Sequence, residues 1–122
     1  MEDGEKETVC EHEIIPDEMK KYFNWLFTDK YEHPIIIAAE ANNKLVSIHP
    51  FCDGNGRTGR LIMNLILMQN NYTPIIIKNL IKNKFNKYIK LWRNNKKEDF
   101  YNLITDCEEE SLEEYLRSID KK

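Results

Sequence analysis

The stretch "HPFCDGNGRTGR", His49 to Arg60, sets a histidine, an aspartate, an asparagine, three glycines and two arginines within one short segment. The whole chain holds only four glycines, so most of its backbone freedom is concentrated here. A turn alone needs fewer. Glycine lets successive N–H groups converge without a Cβ in the way. Where such a loop runs into a helix start, the unpaired amides form a cradle for an anion. Arg57 and Arg60 lie three apart on the first turn of the helix that follows, a spacing that predicts both guanidinium groups on one face beside the cradle. Two bidentate donors next to such amides suit a polyphosphate better than a single carboxylate. Asp53 would repel a bare phosphate, and a Mg²⁺ bridging it to phosphate oxygens removes the conflict. His49 then stands at the mouth of a nucleotide-phosphate site, where an imidazole can take a proton from an incoming hydroxyl.

Gly54 to Gly59 also satisfies G-x-G-x-x-G, the dinucleotide fingerprint. The context is wrong for it. That fingerprint needs a preceding strand and an acidic residue about 20 positions further on. Here a helical pattern precedes it, and no Asp or Glu occurs between Asp53 and Glu98. No Gly-Lys-Ser/Thr follows, so it is no P-loop either.

Outward from the stretch, apolar spacing predicts helices throughout. Met19, Tyr22, Phe23, Leu26 and Phe27 mark a first helix, with Pro16 and Asp17 as start signals. "HPIIIAAEANNKLVSI" reads as a second, with Pro34 in its first turn. "RTGRLIMNLILMQNN" reads as a third; it is apolar nearly all round and therefore predicted to be central. After an extended connector, "YTPIII", comes a fourth helix with Leu80, Ile81, Tyr88, Ile89 and Trp92 as expected core contacts. Helical spacing then holds from Phe100 to Ile119. The fold class is all-α, with any strand confined to residues 1–15, which read as a β-hairpin flap or an extended arm.

The length of 122 residues fits one domain, residues 1–122, able to bury a core without staples. Three widely spaced cysteines in such a chain predict free thiols and a reducing compartment, so the expected location is the cytoplasm, with secretion as an effector left open. The charged N-terminus has no apolar h-region, and no apolar run approaches about 20 residues, so neither a Sec leader nor a membrane partner is expected. Charge is uneven: the acid-free interval carries all its lysines and arginines unopposed, whereas the last quarter is strongly acidic. Such asymmetry can mark a polyanion surface, and more often marks solvated helix faces.

The central stretch resembles the signature of the Fic (filamentation induced by cAMP) domain family, H-x-F-x-[D/E]-G-N-G-R-x-x-R. His49, Phe51, Asp53, Gly54, Asn55, Gly56, Arg57 and Arg60 fill every fixed position. The likeness extends to the flanking helices and covers roughly residues 15–120. It implies a helical bundle with the motif loop between two central helices. It also implies a protein adenylyltransferase, moving AMP from ATP to a Ser, Thr or Tyr hydroxyl of a target protein and releasing pyrophosphate. By position, His49 would be the general base and Asp53 would hold Mg²⁺. Gly54, Asn55 and Gly56 would form the anion hole, with Asn55 near the α-phosphate. Arg57 and Arg60 would bind the β- and γ-phosphates, and Phe51 would anchor the loop in the core.

The chain departs from the family in places. Asn42 stands where members often have a histidine. The inhibitory pattern [S/T]-x-x-x-E-[G/N] has no full match; Thr105 to Glu109 is followed by Glu110. Two other readings are carried. One is the same fold transferring another phosphate-containing group, or removing AMP from a modified protein. The other is a non-catalytic module that binds nucleic acid through the basic helix at 78–97.

Overall fold

The computed structural model describes residues 15–120 as five helices: α1 Ile15–Leu26, α2 Pro34–Ile48, α3 Asn55–Gln69, α4 Asn79–Arg93 and α5 Glu98–Asp120. Among the described residues there is no strand, so the all-α reading holds. The flap or arm read for residues 1–15 lies, but for Ile15, outside the described residues. No described helix is long and apolar enough to cross a membrane.

The start signals act as expected. Asp17 and Glu18 sit in the first turn of α1, where the helix dipole favours negative charge. Pro34 opens α2, and the His33 imidazole caps it by accepting from Ile35 N–H at 3.1 Å.

The central helix is α2, not α3. It packs against all four of the others, and most extensively against α3. Its Ala38, Ala39 and Ala41 are fully buried, and their small side chains let neighbours approach closely. By contrast, α3 keeps Met63 and Leu67 inside while Leu61, Leu65 and Met68 face outward. A helix that is apolar all round promises burial only if a neighbour exists on each side, and the sequence cannot supply that neighbour.

Polar contacts fix how the helices meet. Tyr22 donates its hydroxyl to the Ala41 carbonyl at 2.8 Å, tying α1 to α2, and burial pushes its pKa up to about 12. Glu40 on α2 accepts from Trp92 Nε1 at 2.8 Å and from the Tyr101 hydroxyl, joining α4 and α5 at one carboxylate. The core itself gathers Ile35, Met63, Leu67, Phe85, Phe100 and Ile104.

One expected core residue falls elsewhere. Leu80 is 96% exposed, because it lies on the outer side of the first turn of α4; Phe85 takes the inward place. Trp25 is only half-buried and is flanked by the ammonium groups of Lys30 and Lys44, 4.5 and 5.0 Å from its ring. The expectation of free thiols holds for Cys107 and fails for Cys52, which is disulfide-bonded.

Candidate active site

The motif forms the turn from α2 into α3, and left-handed residues bound it. His49 ends α2 with φ 59° and ψ 56°, its N–H donating to the Leu45 carbonyl at 3.0 Å. A non-glycine residue in this region is uncommon and swings its side chain out of the helix line. Gly54 precedes α3 with φ 82°, a conformation that a Cβ would strain.

Gly54 has no side chain to cap α3, and no acidic residue occupies the first turn. The first intrahelical bond runs from Thr58 N–H to the Gly54 carbonyl at 3.0 Å. The preceding amides, those of Asn55, Gly56 and Arg57, therefore keep their N–H groups for a ligand. The anion cradle read from the glycines would be built from these amides.

Asn55 is the clamp of the loop, a role the sequence reading missed. It is buried, its Oδ1 accepts from Phe51 N–H at 2.9 Å, and its Nδ2 donates to the Phe51 carbonyl at 2.8 Å. The same Nδ2 lies 3.2 Å from His49 Nδ1 and 3.4 Å from Nε2, so one amide holds both the loop backbone and the imidazole. Spacing could have flagged it only as one more polar loop residue. Phe51 does not anchor the loop in the core, as expected from the family likeness: its ring is 47% exposed. The Asn55 clamp on its backbone does that work instead.

The two arginines, three apart at the start of α3, border different cavities. Arg57 lies beside Gly54 and lines an outer cavity of about 440 Å³ with Phe51 and Asp53. Arg60 folds back over Gly56, where an added methyl would sit 3.2 Å from its Nη1. It lines a separate cleft of about 380 Å³. They remain close enough to feel each other: burial, and then the charge of Arg57, push the Arg60 pKa down. One guanidinium thus lies by Gly54 and the other by Gly56, each at its own cavity.

The cleft runs between the motif and α4. His49, Asn55, Gly56 and Arg60 form one wall, and Asn86, Lys90 and Arg93 the other, over a floor that includes Phe85 and Ile89. The α4 side chains went unassigned in the sequence because nothing distinguishes them there from the other exposed positions of a basic helix. Arg93 is steadied by Nε donating to Ser47 Oγ at 2.9 Å.

Two further positions support the turn. Asn42 is buried under the site, donating to Asn43 Oδ1 at 2.9 Å. Gly59 packs against it so closely that an added Cβ would lie 2.6 Å from Asn42 Oδ1 and 3.3 Å from the Asn42 carbonyl. The glycine that seemed to complete a dinucleotide fingerprint is a helix-packing residue.

The chain is similar to known proteins. The model of the Fic/DOC family matches residues 2–67. The protein of Drosophila yakuba named Protein adenylyltransferase Fic is 43% identical over 100 residues, covering 80% of this chain and 20% of that protein. Its namesake in Drosophila virilis is 42% identical over 100 residues, covering 80% and 21%. The solved structure of Fic-1 from C. elegans superposes with a TM-score of 0.84 at 29% identity, covering 93% of this chain and 35% of that one. The chain spans about a fifth of the length of the curated relatives it matches.

Proposed function

The chain belongs to the Fic/DOC family, and on that premise we propose that it is a protein adenylyltransferase, moving AMP from ATP to a Ser, Thr or Tyr hydroxyl of a target protein. One observation carries this reading. The uncapped start of α3 opens between two guanidinium groups, with an imidazole held at the edge of the same cleft.

In the proposed reaction the acceptor oxygen attacks the α-phosphorus and the bond to the bridging oxygen of the β-phosphate breaks. The acceptor proton passes to His49, and pyrophosphate leaves. His49 is exposed, so an acceptor can reach it, and Asn55 restrains its ring. The free amides of Asn55 and Gly56 would meet charge on the α-phosphate, which assigns Asn55 its phosphate role through the backbone while its side chain holds the loop. Arg60 and Arg57 would take the outer phosphates, each from its own cavity.

Asp53 offers one carboxylate, and no group of three or more His, Cys, Asp or Glu that could hold a metal exists among the described residues. That donor set suits Mg²⁺, which commonly takes one or two carboxylates together with phosphate oxygens and water. Asp53 would hold the ion, which would supply neutralising charge to the phosphates.

The test is intact-mass analysis and labelling of acceptor proteins incubated with ATP and Mg²⁺. One added AMP per modified site is expected. Replacing His49 by Ala should lower the rate by about 10²- to 10⁴-fold, the usual worth of a general base. A His49→Ala protein that labels as well as the parent would refute the assignment.

A further inference from the structure

Resting on the nucleotide reading of the cleft, we infer that Glu40 is a positioning residue for the bound nucleotide: from α2 it holds α4, the far wall of the cleft, at a fixed separation and roll through Trp92.

Among the described residues, the backbone of α4 packs on α5 and, more sparingly, on α2, and nowhere approaches that of α3. The cleft is therefore the gap between the start of α3 and a helix whose backbone α3 does not hold. Phe85 and Ile89 seat α4 in the core. Apolar packing of this kind is non-directional, so it sets depth better than rotation. Asn86, Lys90 and Arg93 lie on the flank of that apolar stripe and line the cleft. Any roll of α4 carries them toward or away from His49 and Arg60 on the motif wall.

Two directional ties oppose such a roll, and both reach α2 from the last turn of α4. Trp92 Nε1 donates to Glu40 Oε2 at 2.8 Å, and Arg93 Nε donates to Ser47 Oγ at 2.9 Å. Glu40 and Ser47 share one face of α2 two turns apart, about 10 Å along its axis. One tie alone would be a pivot; two at that distance set an orientation. They are unequal. The Arg93–Ser47 bond is exposed, where water competes for both partners. The Glu40 side chain is only 15% exposed, so its bond to the indole is charge-assisted and largely shielded.

Glu40 is itself held in place, as a brace must be. The same oxygen accepts from the Tyr101 hydroxyl on α5, the helix on which α4 rests, and the Lys44 ammonium stands 3.8 Å from the other oxygen. His49 ends the helix that carries Glu40, so the proposed base and the far wall are both referred to α2.

The experiment is titration calorimetry of Mg·ATP on the full chain, with Tm measured beside each titration. Trp92→Phe keeps an aromatic ring and removes the N–H that reaches Glu40. It should weaken ATP binding about tenfold, the scale of one hydrogen bond to a charged group. Glu40→Ala should do the same. Glu40→Gln should bind as the parent does, because its amide oxygen still accepts both bonds. Tyr101→Phe takes the α5 partner from the same carboxylate and leaves α4 tied, so it should lose stability and keep the parent's affinity. Unchanged affinity in Trp92→Phe overturns the inference. So does affinity that merely tracks Tm across the four variants, which is what a carboxylate with a structural role alone would give. The nucleotide reading fails separately, if the parent does not bind ATP or if Arg60→Ala binds it equally well. ATP binding that depends on Arg60 and ignores Trp92 would sink only the present inference.

Discussion

Two irregular segments flank α3, and an asparagine of α3 grips each. The motif loop, residues 49–54, is held at its N-terminal end by Asn55 on the Phe51 peptide. The connector, residues 71–78, is held by Asn64, which donates to the Ile75 carbonyl at 3.0 Å and accepts from Ile75 N–H at 2.9 Å. The clamps are alike, and what surrounds them is not. The connector buries Ile75 in the core and gains a second anchor at Thr73, whose N–H and hydroxyl donate to Glu108 at 2.7 and 2.8 Å. The loop leaves Phe51 half out in solvent, and its clamp also carries His49. One segment is a strap that helps hold the bundle together. The other is positioned by polar contacts and by the Cys52 disulfide, and it leads into the α3 amides that the proposed ligand would use.

If that contrast is right, the two segments respond oppositely to substitution. The largest effect belongs to the loop: His49→Ala removes the proposed base, while thermal stability stays near that of the parent because the ring is exposed. A large drop in Tm would blur the contrast by making His49 structural. Next comes the connector. Ile75→Ala should destabilise the fold by about 2–4 kcal/mol, read from urea unfolding, through lost burial and a cavity. The folded fraction should retain its activity. Loss of activity without loss of stability would reverse the roles assigned here.

The paired clamps give a direct comparison. Asn64→Ala leaves the Ile75 N–H and carbonyl without their partner and should cost roughly 1–3 kcal/mol of stability. Asn55→Ala frees the Phe51 peptide nearer to solvent, so its stability cost should be smaller. Its activity should fall steeply, because the loop and the imidazole lose their common restraint. Equal stability losses in the two variants would show that the loop is as structural as the connector.

The helices were legible in the sequence because apolar spacing, Pro34, the glycines and the asparagine stops are local signals. The motif was legible because eight fixed positions in register leave little freedom. What could not be read is long-range. Nothing in "RLIMNLILMQ" tells which of its apolar faces meets a neighbour, so its pattern points to α3 for the central place that α2 occupies. Nor does spacing show that Gly56 gives Arg60 room to fold toward α4 while Arg57 turns to Asp53. The α4 wall of the cleft was hidden for a similar reason. A basic residue facing a site and one facing water look the same until the chain has packed.

The smallest effect tests the point where family likeness and geometry part. A phenylalanine that anchored the loop in the core would cost about 3–5 kcal/mol on truncation, as Phe100→Ala should, since that ring is fully buried. Phe51 is half-exposed, and its peptide is held by Asn55 whatever its side chain. Phe51→Ala should therefore cost about 1 kcal/mol or less by urea unfolding. The ring borders the outer cavity beside Asp53 and Arg57, so any loss of transfer should appear without loss of fold. A cost near that of Phe100→Ala would mean that the ring is buried in solution. The loop would then be a strap like the connector, and the distinction between the two segments would fail.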